Sequence, residues 1–152
     1  MAAERVVGTP AEQPVSSREA GSAYVDLAAV GYLLYGVGAV TAFLAVALSL
    51  SDAAAALHSS VLAVGLLAAG FGTDRLDALI GARRASFLGD GLLGLGSLCI
   101  VTTLAYPVTL AGAGMIGLAV GLLLAHANRT LTRGGGTLAQ LRMNRSGLVA
   151  ML

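Results

Sequence analysis

The chain has 152 residues, 57% of them hydrophobic and only 11% charged, with a mean hydropathy of +0.84. Soluble domains carry roughly 25% charged residues, so this composition cannot build a water-facing surface. Nine arginines against eight acids leave a net charge of +1 and no strongly basic face for nucleic acid, while the single cysteine, Cys99, rules out an internal disulfide and a cysteine-based zinc site.

Residues 1–22 contain Pro10, Pro14, three Glu and two Arg with no sustained apolar stretch, and are expected to form a disordered cytoplasmic tail. A secretory signal would need an apolar run of about 7–15 residues. Residues 27–50 are then uncharged for 24 residues. At roughly 1.5 Å per residue this is about 36 Å of helix, enough to cross a hydrocarbon core of about 30 Å with some tilt. Ser51 and Asp52 interrupt the run, and residues 53–71 supply a second uncharged stretch with His58 near its start. Residues 72–86 carry Asp74, Arg75, Asp77, Arg83 and Arg84 and are expected to form a loop in water or at headgroup level. Residues 87–105 are apolar except for Asp90. Tyr106 and Pro107 are expected to break the chain into a tight turn before a fourth apolar stretch at 108–125. Residues 23–126 thus read as an all-α transmembrane bundle of four helices, rich in Ala, Leu, Val and Gly as packed membrane helices are.

Two arginines lie in the N-terminal tail, three between the second and third spans, and four after the fourth, at Arg129, Arg133, Arg142 and Arg145. With four spans all nine fall on one side, which the positive-inside rule makes cytoplasmic, so both termini are expected inside. Residues 127–152 form a cytoplasmic or interfacial tail with a triglycine at 134–136. Its apolar end, Ser146 to Leu152, reads as an interfacial helix or the start of a truncated fifth helix.

The connection after the second span is the most informative segment. Glycine near a helix end allows close helix approach, an acid at the membrane edge accepts hydrogen bonds from a facing helix N-terminus, and arginines anchor to anionic headgroups. In order, Gly70, Asp74, Arg75, Gly81, Arg83 and Arg84 resemble the signature between the second and third helices of the major facilitator superfamily of secondary transporters, with a spacer of five residues between Arg75 and Gly81. The flanking stretches LHSSVLAVGLLAAGFGTDRL and ARRASFLGDGLLGLGSL are similar to the second and third helices of efflux members. The resemblance implies a major-facilitator-like half, a gating role for this motif and conformational control by Asp74. It implies small-molecule efflux by a partial member, since the family has about twelve spans in two halves. Ala113 stands where proton-coupled members often carry an arginine, so coupling through that group is not implied.

Asp90 is the one ionisable group well inside an expected span, which makes it a coupling-site reading. Three residues into the expected helix, it also reads as a helix-edge acid favoured by the dipole or by water at the interface. Asp26, at the start of the first span, carries the same two readings. Ala113, Gly117 and Gly121 recur every four residues on one helix face, a packing signal, and Gly89, Gly91, Gly94 and Gly96 thin the third helix. Tyr32, Tyr35, Thr41, Thr102 and Thr103 are candidates to line a cavity. His58 and His126 fall at opposite membrane edges and cannot share a metal. No phosphate-cradling loop, HExxH or GxSxG is present, so neither an enzyme nor a cofactor or metal is expected. Two further readings stand beside the transporter: an independent small four-helix protein working as an oligomer, and a non-transporting accessory subunit. The expected setting is multi-pass in a bacterial inner or plasma membrane. The expected partners are the lipid bilayer, a small-molecule substrate, and a second copy or a complementary transporter half.

Overall fold

A computed structural model describes residues 16–102 and 105–132. They form four helices in the order α1 (Ser17–Ala47), α2 (Asp52–Ile80), α3 (Ala82–Thr102) and α4 (Tyr106–Thr132), with no β-strand among the described residues.

Local chemistry sets the helix boundaries, and several differ from the sequence expectation. The Ser16 hydroxyl accepts from the Glu19 N–H at 3.3 Å, and the Glu19 carboxylate accepts from the Ser16 N–H at 3.0 Å. This capping box satisfies two orphan donors at once and starts α1 at Ser17, inside the stretch 1–22 read as a tail. Residues 1–15, and the expected C-terminal tail beyond 132, lie outside the described residues. α1 bends by 47° between Ser17–Gly36 and Gly38–Ala47. Gly36 and Gly38 flank the bend, and glycine pairs are a common cause of helix kinks. The helix ends at Ala47 rather than 50, and Ser51 caps α2 by accepting from the Ala54 N–H at 3.3 Å.

The expected 15-residue loop at 72–86 is instead almost all helix. α2 runs through Asp74, Arg75 and Asp77 to Ile80, and α3 starts at Ala82. Charged residues form helix readily once the segment leaves the hydrocarbon. The break is Gly81 alone, at φ 84° and ψ 145°, a conformation that favours glycine. Nor is Pro107 the turn between the last two helices. It sits in the first turn of α4, where a missing N–H costs no hydrogen bond.

α4 is the centre of the bundle. It packs most extensively on α2 and α3 and less on α1, while the backbones of α1 and α3 do not come close to each other. Glycines permit these approaches. A Cβ on Gly117 would collide with the Leu62 carbonyl, one on Gly121 would lie 2.5 Å from Ala69 Cβ, and one on Gly65 would lie 2.6 Å from Gly114 O, so α2 and α4 meet backbone to backbone. Gly96 and Gly112 do the same for α3 and α4, each 2.8 Å from the other's carbonyl by this measure. Gly91 and Gly94 face open space. The apolar core joins Val30, Leu62, Ile116, Val120 and Leu123, and a second cluster joins Ala23 and Leu27 of α1 to Ala127 and Leu131 of α4.

The start of α1, the end of α2, the start of α3 and the end of α4 therefore share one end of the bundle. It holds every described arginine: Arg18, Arg75, Arg83, Arg84 and Arg129. α2, α3 and α4 are each long and apolar enough to cross a membrane, and α1 adds a fourth crossing if its two bent segments form one span. Large apolar side chains point outward, Phe71 at 84% and Val46 at 82% exposure among them. Such a surface suits lipid and not water.

Candidate functional site

Two features draw several helices together. The first is a polar corner at the arginine-rich end. Asp74 and Asp77 lie one turn apart on α2, and His126 and Arg129 one turn apart on α4, so each pair shares a helix face. Arg129 forks between them, with Nη1 donating to Asp77 Oδ2 and Nη2 to Asp74 Oδ1. The second oxygen of Asp77 lies 3.0 Å from His126 Nε2, and His126 Nδ1 lies 2.8 Å from the Leu122 carbonyl oxygen. The Asp77 side chain is 15% exposed and that of Asp74 88%, so Asp77 is the anchor and Asp74 the solvent-facing outer partner.

Asp26 approaches this corner from α1, within electrostatic range of His126 and of Asp90 on α3. Asp26 is the tenth residue of α1 and Asp90 the ninth of α3, because both helices start earlier than the sequence implied. Both therefore lie beyond the first turn, and the helix-edge reading based on the N-terminal dipole does not hold for them. Asp90 is exposed on the outside of α3.

The motif residues Gly70, Asp74, Arg75, Gly81, Arg83 and Arg84 are all exposed along the α2–α3 junction. Among the described residues, only Asp74 of these reaches across, to Arg129. The Arg83 guanidinium stands 5.8 Å from the centre of the Phe87 ring, a cation–π placement within its own helix.

The second feature is a cavity of about 200 Å³ bounded by all four helices and lined by Tyr32, Thr41, His58, Ser97, Ala113 and Ile116 together with aliphatic side chains. It lies where the backbones of α1 and α3 stay apart over α4. Among the described residues, no acid and no arginine lines it. Its polar points are the two hydroxyls of Thr41 and Ser97, the Tyr32 phenol and the His58 imidazole. His58 is buried, with Nε2 3.0 Å from Thr109 Oγ1 and Nδ1 3.3 Å from the Ala55 carbonyl oxygen. Tyr106 meets the imidazole edge-on at 5.5 Å and donates through its hydroxyl to the Ala54 carbonyl at 3.4 Å. These contacts fix the ring between α2 and α4. Of the other hydroxyl residues expected around a cavity, Tyr35 is exposed, Thr102 donates to the Cys99 carbonyl at 3.1 Å, and Thr103 lies outside the described residues.

Sequence reasoning placed both histidines at membrane edges without a role, and passed over Asp77 and Arg129 as partners. The usable signal was the matched three-residue spacing of 74/77 and 126/129. Two faces of complementary charge near the ends of antiparallel helices are placed to meet.

Fold and site together define a helical protein with at least three helices long and apolar enough to span a membrane, a charged corner at one end and, among the described residues, a cavity lined by uncharged side chains. No family model, curated protein or solved structure matches the chain.

Proposed function

We propose that the protein is a multi-pass cell-membrane protein with four spans and a cytoplasmic arginine-rich end, acting in the passage of small uncharged molecules as a major-facilitator-like efflux protein. The observation that carries this reading is the cavity. It draws lining from all four helices, holds a few hydrogen-bonding groups in an apolar wall, and contains no charge that would bind an ion. Small-molecule sites generally have that make-up. Five arginines at one end support the orientation, because cytoplasmic ends carry the arginine excess. The order of Gly70, Asp74, Arg75, Gly81, Arg83 and Arg84 supports the family resemblance. The cleft left between α1 and α3 gives a complementary half or a second copy a place to complete the pathway. Alternating access in such folds moves two repeats around a midplane site.

The test is flux in proteoliposomes. Protein-containing vesicles are expected to release a preloaded small neutral solute faster than protein-free vesicles of the same lipid. Equal release, with one larger membrane protein retained in pulldowns, would support the accessory-subunit reading instead.

A further inference from the structure

We infer that His126 is a proton-binding site whose protonation adds to the Arg129 bridge a second charged tie between the end of α4 and the end of α2. The geometry of the ring carries this. Nδ1 faces the Leu122 carbonyl, which can only accept, so Nδ1 bears a hydrogen. Nε2 faces Asp77 Oδ1, while Asp77 Oδ2 receives the Arg129 guanidinium, which favours the ionised carboxylate. An ionised carboxylate also only accepts, so Nε2 needs a hydrogen as well. Both bonds exist together only in the imidazolium form. When the ring loses one proton, either the Nδ1 bond to Leu122 within α4 or the Nε2 bond to Asp77 across to α2 is lost, and a surviving Nε2–Asp77 bond no longer pairs a cation with a carboxylate.

Charged groups of the neighbouring helices stand around the ring. Asp77 and, behind Arg129, Asp74 face it from α2. Asp26 faces it from α1, with Asp90 of α3 beyond, and Arg129 stands one turn away on α4. Asp77 binds Arg129 through one oxygen and the ring through the other. The protonated ring is the second cation of the corner. Histidine is the side chain whose charge ordinarily changes between pH 5 and 8. The inference rests on hydrogen-bond geometry and holds whether or not the protein transports.

The full chain in lipid nanodiscs provides the test. His58→Gln leaves a single ring for ¹⁵N-imidazole NMR, and spin labels at Ala78 and Thr132 in a Cys99→Ala background read the α2–α4 separation. The expected result is a ring protonated on both nitrogens at pH 5.5 and on one at pH 8.5. The label-to-label distribution should broaden over the same interval, and Asp77→Asn should abolish that broadening. A ring with a single proton at pH 5.5 would overturn the inference. So would a ring that titrates while the distance stays fixed, or a response that survives in Asp77→Asn.

Discussion

Addition of a methyl group has opposite consequences at different glycines. At Gly117 the added Cβ would strike the Leu62 carbonyl on α2, and neither backbone can yield without separating the helices. Gly117→Ala is expected to lower stability in detergent by about 1–3 kcal/mol, the usual cost of overpacking. At Gly91 the same methyl meets open space, and Gly91→Ala is expected to be neutral or stabilising by up to about 1 kcal/mol. Thermal unfolding of the two variants side by side reads the difference in sign. The acids of the corner divide similarly. Asp77 is largely shielded and binds both His126 and Arg129, so Asp77→Ala should cost about 1.5–3 kcal/mol through lost charge-assisted hydrogen bonds. Asp74 is exposed, and Asp74→Ala should cost about 1 kcal/mol or less. Equal losses at the two positions would show that Asp77 is not the anchor. At this scale the four-residue spacing of Ala113, Gly117 and Gly121 was legible as a small-residue face. Which helix lies on that face was not, because α2 and α3 both offer glycines, and only the three-dimensional placement pairs Gly65 with Gly114 and Gly96 with Gly112.

Among the elements, the apolar stretches were legible and their ends were not. Hydropathy marks where a segment leaves the hydrocarbon, whereas the helix continues until its backbone is broken or capped. That is why α2 carries Asp74, Arg75 and Asp77 as helix, and why the fifteen residues read as a loop reduce to Gly81. The capping box at Ser16 and Glu19 was equally visible as a four-residue pattern, yet it was overlooked beneath the polar character of the tail. Gly81 holds a backbone conformation that a Cβ disfavours. Gly81→Ala should therefore cost about 1–3 kcal/mol even though its Cβ would meet no neighbour. Gly72→Ala, also with open space but within α2, should not. Thermal unfolding of this pair separates backbone strain from steric crowding, and equal behaviour would remove the special role given to the α2–α3 corner.

For the whole molecule, the scarce charges set the geometry. The described arginines, scattered along the sequence, collect at one end because the four helices alternate in direction, and the acids and His126 of the polar corner sit among them. The cavity at the other side of the same packing was not legible. It depends on the bend in α1 and on the separation of the α1 and α3 backbones, neither of which hydropathy encodes. Four crossings would put Ser16 and Thr132 on the same side of the membrane, whereas three would put them on opposite sides. Reporters active on only one side of the membrane, fused at the N-terminus and after Thr132, should show both ends cytoplasmic; opposite sides would mean that α1 does not cross. The cavity as the route for a small neutral molecule is tested most directly by filling it. Ala113→Leu and Ser97→Leu project into the cavity, while Ala111→Leu adds the same side chain on the exposed face of α4. In proteoliposomes matched for folded protein, solute release should fall to the protein-free level for the first two and stay at the wild-type level for the third. Undiminished release through a filled cavity would contradict the account.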